Sequence, residues 1–197
     1  MKPLLIVISA PSGAGKTTLC DRLLQDYPEI TYSVSCTTRE PRGAEEDGID
    51  YYFLSPEDFQ ARVRANGFLE HATVHGHSYG TLRAPVYEAF AEGQSVLMDI
   101  DVAGAAQVRR HVASLPAGDP MREGFVDIFV RPPSLAALHE RLVDRGDNDE
   151  SEIALRLRNA AREMEHAAEY RYQVVNDDLE VAYRELCGIL EVAAGIR

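Results

Sequence analysis

One octapeptide limits what this chain can fold into. Ala10–Thr17 reads APSGAGKT. Before it stands a continuous apolar run, Leu4–Ser9, and after it TTLCDRLLQDYP, whose Leu19, Leu23 and Leu24 recur at helical spacing until Pro28 stops them. Strand, glycine-rich loop and helix are the context that the phosphate-loop pattern GxxxxGK(S/T) needs. Gly15, Lys16 and Thr17 match the pattern, Ala10 replaces its first glycine, and Gly13 adds backbone freedom. Gly13 and Gly15 let backbone N–H groups converge on phosphate oxygens at a helix N-terminus, where a side chain would collide. Lys16 would reach the β- and γ-phosphates of a nucleotide, and the Thr17 hydroxyl would ligate Mg2+. The competing reading is a glycine-rich turn with no ligand, which the flanking strand and helix argue against.

Beyond the loop, strands and helices alternate. From about Ser33 to Thr81 the chain is rich in Tyr, Ser, Thr, Gly and charge, with strand-like runs TYSVSCTT, DYYFLS and HATVHGHSYG around the helical PEDFQARVRANG. This reads as a small inserted α+β subdomain. PVYEAFAEG is helical, SVLMDIDVAG is a buried strand ending in carboxylates, and VDIFVRPPS is a strand stopped by prolines. Period-two alternation puts Asp99 and Asp101 on one face at the carboxyl end of their strand, where ligands bind in open α/β sheets. LPAGDPMREG (Leu115–Gly124) reads as a surface loop. Leu135–Arg145 is helical and GDNDES breaks it. A long amphipathic helix from about Glu152 to Glu169, a short strand YQVVNDD and a final helix complete the chain. The pattern predicts an α/β fold of three layers, a parallel sheet with helices on both faces.

Composition narrows the function. A chain of 197 residues can bury a substantial core, and no apolar run approaches a membrane span. MKPLLIVISAPSG has the basic start and apolar run of a signal peptide, but it flows into the loop and reads as the first strand. The formal charge of −12 argues against nonspecific binding to nucleic acid or an anionic membrane. It leaves room for a small phosphate compound held by a few focused arginines. Cys20, Cys36 and Cys187 are widely spaced, without CxxC, so reduced thiols, no zinc site and a cytoplasmic setting are expected.

SCTTREPRGAEEDGIDYYF, FLEHATVHGHSYGT, LMDID, RPPS, RLVDRG and VVNDD follow one another in the order found in guanylate kinases, and the chain resembles that family over nearly its whole length. The resemblance implies a P-loop NTPase core (1–33, 82–134 and 158–197), an inserted GMP-binding subdomain (34–81) and a helical lid (135–157). It implies transfer of the ATP γ-phosphoryl group to GMP, and to dGMP, in purine nucleotide metabolism. ATP, with Mg2+, would sit on Ala10, Pro11, Ser12, Gly13, Ala14, Gly15, Lys16 and Thr17. Arg39, Arg42, Tyr51 and Tyr79 would hold the GMP phosphate. Ser35, Glu70, Thr81 and Asp101 would read guanine. Arg141, Arg145 and Arg156 would converge from the lid on the transferring group, with Lys16 and Arg39 completing the catalytic set. Asp99 would reach Mg2+ through water, or else cap a turn or pair with an arginine. Asn176 and Asp177 resemble a segment near adenine.

Physical chemistry supports several of these assignments. An arginine fork suits phosphate because it gives bidentate, charge-assisted bonds. Guanine offers N1–H and a 2-amino group as neighbouring donors, which one carboxylate can accept together. Adenine would leave that carboxylate unpaired. The family commonly has an aromatic after the glutamate and a serine at the hydroxyl position, where this chain has His71 and Thr81. His71 reads as a packing or surface residue, and no histidine is assigned a catalytic role. Left alone, Arg39 and Arg42 would read as a solvated loop, and the lid arginines as partners of Glu140 or Asp144. Arg158 and Arg162 read as surface charge. Two rival functions are a sugar-phosphate kinase on the same scaffold, opposed by Glu70, Ser35 and Asp101, and a non-catalytic binding module, opposed by Lys16 and Thr17. The partners expected are ATP and GMP, with the chain a monomer or homodimer.

Overall fold

The first strand, β1 (Leu5–Ser9), is buried at every residue because it lies mid-sheet with both faces covered. In the computed structural model, which describes residues 2–74, 76–144 and 149–196, it pairs in parallel with β7 (Ser95–Asp99) and β8 (Phe125–Arg131). β2 (Ile30–Tyr32) extends the sheet beyond β7, and β9 (Tyr172–Val175) beyond β8, all in parallel. The order is β2-β7-β1-β8-β9.

Alternation along β1 feeds two cores. Ile6 and Ile8 pack with Leu19 and Leu23 of α1 (Lys16–Asp26) and with Leu186 and Leu190 of α8 (Leu179–Ala193). Leu5 and Val7 face the other way, toward Val86 and Phe90 of α3 (Arg83–Ala91) and Val108 and Val112 of α4 (Val102–Ser114). Helices therefore cover both faces of a parallel sheet, in three layers, as the sequence pattern predicts.

A second sheet, of order β4-β3-β6-β5, is built from β3 (Cys36–Thr37), β4 (Tyr52–Phe53), β5 (Phe68–Val74) and β6 (His77–Leu82). Its one helix, α2 (Pro56–Arg64), starts where the Ser55 hydroxyl accepts from Asp58 N and Pro56 takes the first helical position. Phe59 stacks on Phe68 at 4.5 Å between centroids, and with Cys36 they make a small separate core. The run TYSVSCTT is not one strand. Tyr32 pairs with Leu97 in the main sheet, Ser33 N donates to Leu97 O, and the chain then crosses to pair Cys36 with Gly80.

Three further boundaries differ from the sequence reading. LPAGDPMREG holds a helical turn, α5 (Pro120–Glu123), capped by Asp119, and it buries Met121 in the core beneath α4. α6 (Leu135–Asp144) is followed by α7 (Glu150–Glu165), which starts earlier than expected because the Asp149 side chain accepts from Glu152 N. α7 ends in a 3-10 turn at His166–Glu169 and is continuous through residues 157 and 158. Leu138, Leu142, Ile153 and Ala160 tie α6 to α7 in a cluster of their own. Among the described residues no helix is long and apolar enough to cross a membrane, and the three cysteines are free thiols.

Candidate active site

The loop between β1 and α1 has the conformation that its glycines allow. Gly13 and Gly15 take φ of 89° and 88°, and Ala14 N donates to Pro11 O at 3.0 Å. Packing also demands glycine here. A Cβ on Gly13 would meet Leu138 Cδ1 at 2.9 Å, and one on Gly15 would meet Asn176 Nδ2 at 2.3 Å. Asn176, buried at the end of β9, donates Nδ2–H to Ala14 O at 2.8 Å and so pins the loop from outside. Ala10 and Gly13 are half-buried, Pro11 and Ala14 buried, and Ser12 and Thr17 exposed.

Lys16 is the first residue of α1 and pairs with the Asp99 carboxylate at the end of β7. Burial pushes the ammonium below its usual range, opposed by nearby negative charge that includes Asp101 and Glu163. Asp101 does not continue the strand alternation. β7 stops at Asp99, and Asp101 caps α4, its Oδ1 accepting from Gly104 N at 2.7 Å. The two carboxylates nevertheless line one cleft.

That cleft, of about 200 Å³, brings together Ser35, Tyr51, Glu70, Tyr79, Asp99 and Asp101. Glu70 is 5% exposed and lies opposite Thr81 in the β5–β6 register. Thr81 Oγ1 donates to Glu70 Oε1 at 2.7 Å. Burial raises the Glu70 carboxyl to about 7, against the Thr81 bond and with the help of Asp101. Gly104 makes room for the second oxygen, since a Cβ there would lie 2.6 Å from Glu70 Oε2.

Arg39 is buried rather than solvated, with 7% of its surface exposed. Its two terminal nitrogens grip the Glu45 carboxylate at 2.8 and 2.9 Å, and Nη1 also donates to Glu40 O at 2.8 Å. The guanidinium carbon lies 5.3 Å from the Tyr51 ring centroid. Arg42 has an exposed side chain, and its backbone N–H donates to Glu45 Oε2 at 2.7 Å.

These features put a glycine-rich loop beside a cleft that holds one buried carboxylate, with a buried arginine against the Tyr51 ring of its lining. The family model for Guanylate kinase matches residues 2–193. The chain belongs to the guanylate kinase family. It is 46% identical over 187 residues to guanylate kinase from Desulfitobacterium hafniense, covering 95% of this chain and 88% of that one. It is 44% identical over 190 residues to guanylate kinase from Thermotoga maritima, covering 96% and 87%. Its fold is similar to the crystal structure of guanylate kinase from Anaplasma phagocytophilum, with a TM-score of 0.75 and 33% identity over 98% of this chain and 86% of that one. Such kinship makes this protein a nucleoside monophosphate kinase.

In this guanylate kinase α6 lies against the phosphate loop. Arg141 Nη2 donates to Asn176 O at 2.8 Å and to Asp177 O at 3.4 Å, rather than pairing with Glu140 or Asp144. Arg141, Asn176 and Asp177 border a second cleft, of about 370 Å³, with Gly13, Gly15 and Thr18. Arg156 is half-buried on α7 without an ion pair among the described residues. Arg145 lies outside the described residues. Sequence reasoning passed over Gly104, Glu45 and Glu163. A glycine inside a helical run was a readable signal for Gly104. Glu45 and Glu163 had none, because a charged residue in a polar loop or on a helix usually faces water.

Proposed function

We propose that this guanylate kinase transfers the ATP γ-phosphoryl group in line to the phosphate of GMP or dGMP, giving ADP and GDP or dGDP. The observation that carries the choice of acceptor is the buried Glu70 carboxylate. It is the group that can accept guanine N1–H and the 2-amino group together, and those donors would stabilise its ionised form. Ser35, Thr81 and Asp101 would complete the guanine contacts. Arg39, Arg42, Tyr51 and Tyr79 would hold the phosphate within the subdomain 34–81. ATP would lie along Ala10–Thr17, its base near Asn176 and Asp177. The acceptor phosphate has a second pKa of about 6, so its attacking oxygen is largely ionised near neutral pH and needs no general base. Lys16, with Arg141, Arg145 and Arg156 from the lid 135–157, would neutralise the transferring group.

Mg2+ bound with ATP would supply charge neutralisation for the transferring group. The hard oxygen donors of Thr17 and Asp99 fit it, since Mg2+ keeps several waters and takes few protein ligands.

The deciding assay is ADP formation from ATP and Mg2+ with GMP, dGMP, AMP, UMP, CMP or a ribose bisphosphate as acceptor. GMP should be strongly preferred over AMP. Absence of GMP-dependent turnover would overturn the reading, and turnover with the ribose bisphosphate instead would favour a sugar-phosphate kinase.

A further inference from the structure

We infer that Glu45 is a positioning residue for the acceptor phosphate, acting through Arg39. The inference rests on the GMP reading of the cleft. Three donors converge on the Glu45 carboxylate: Arg39 Nη1 at 2.8 Å, Arg39 Nη2 at 2.9 Å and Arg42 N at 2.7 Å. The bonds between Arg39 and Glu45 hold the guanidinium above its usual range, and those bonds, joined by the one from Arg42 N, hold the Glu45 carboxyl below its own.

Which edge of the guanidinium is held matters. An arginine side chain has five N–H bonds in one plane. Glu45 takes the end-on pair, one from each terminal nitrogen, and Glu40 O takes the other Nη1–H. The remaining Nε–H and second Nη2–H stand side by side along the other edge of the plane. That edge is itself a bidentate fork for a phosphate. Tyr51 and Tyr79, which line the cleft, border the same group, Tyr51 by its ring and Tyr79 by its hydroxyl. Glu45 therefore fixes the plane of Arg39 by the edge the ligand does not need. By tying Arg42 N to the same carboxylate it also sets the loop that carries the second arginine. A free arginine must give up rotamer freedom when phosphate arrives, and here that ordering is already complete.

A rival role has the opposite sign. If Glu45 occupied the place of the phosphate, removing it would tighten GMP binding. The test is calorimetric binding of GMP and of guanosine to the wild type, Glu45→Gln, Arg39→Lys and the double variant. Positioning through Arg39 predicts about tenfold weaker GMP binding in Glu45→Gln, the size of a lost charge-assisted bond. Guanosine, which lacks the phosphate, should bind as in the wild type. In the Arg39→Lys background the Glu45 substitution should cost clearly less than in the wild type, leaving only the share carried by Arg42 N. Equal losses for GMP and guanosine, unchanged or tighter GMP binding, or multiplying effects in the double variant would each overturn the inference. A wild type without GMP turnover would overturn the function itself. Normal wild-type turnover with normal GMP affinity in Glu45→Gln would overturn only the role of Glu45.

Discussion

Gly104 and Glu70 share one space: a Cβ on Gly104 would stand 2.6 Å from Glu70 Oε2, closer than such atoms approach. The pair joins helix α4 to strand β5 at one end of the cleft. Gln107, one turn further along α4, makes the same connection through the backbone of His71, donating to its O at 2.8 Å and accepting from its N at 3.2 Å.

Gly104→Ala should displace the Glu70 carboxylate. Alanine favours the helix itself by roughly 0.5–1 kcal/mol, so stability should change little. The KM for GMP should rise about tenfold, consistent with a misplaced hydrogen-bonding group, while the KM for ATP stays put. An unchanged KM for GMP in steady-state kinetics would show that the position of this carboxylate does not matter.

The Glu70 carboxyl is raised from an ordinary 4.5 to about 7. A raised acid holds its proton more tightly in the folded state, so its contribution to stability is present below 4.5 and is lost as pH climbs through 7. The thermal midpoint of the unliganded protein should carry a downward component over that window, absent in Glu70→Gln. Guanine needs the ionised form, so the KM for GMP should climb as pH falls below 7. The substrate phosphate also titrates, near about 6, and the residual slope in Glu70→Gln measures that share.

Asn176→Ala removes the bond to Ala14 O and leaves a buried carbonyl unpaired. The cost should be about 1–3 kcal/mol in urea unfolding. Because Ala14 belongs to the phosphate loop, the KM for ATP should rise more than the KM for GMP. Equal changes would make the asparagine a general stabiliser only.

Lys16→Met should lower kcat by about a hundredfold or more, as loss of a charge-stabilising donor does. Circular dichroism should show the fold retained. Near-normal kcat would remove Lys16 from the chemistry.

Met121→Ala should destabilise the protein by about 2–5 kcal/mol through the cavity it leaves, without altering the KM for either substrate. Differential scanning calorimetry and kinetics together check this. The segment around Met121 then belongs to the core and not to the site.

Sequence patterning reached the elements whose side chains repeat. The runs Leu4–Ser9 and SVLMD carry consecutive apolar residues, Leu4–Ile8 and Val96–Met98, so their place in a covered parallel sheet could be read directly. Patterning failed where the deciding partner is distant or the element short. By sequence spacing Asp101 keeps the period-two alternation of its strand, yet its carboxylate caps α4, and alternation alone does not tell the two apart. Four residues of α5 are too few for a helical period. The bond from Arg141 to the carbonyl of Asn176, 35 residues away, needed the fold to be seen. The same holds for the pinning of Ala14 by Asn176.

β1 sends alternate side chains into both main cores. Neither core can therefore open without stripping cover from a strand that the other still needs, and the two must melt as one cooperative unit. The amides of Leu5–Ile8 should exchange with solvent only through global unfolding. The phosphate loop hangs directly from the end of that strand. Its anchored end is thus the last part of the molecule to let go.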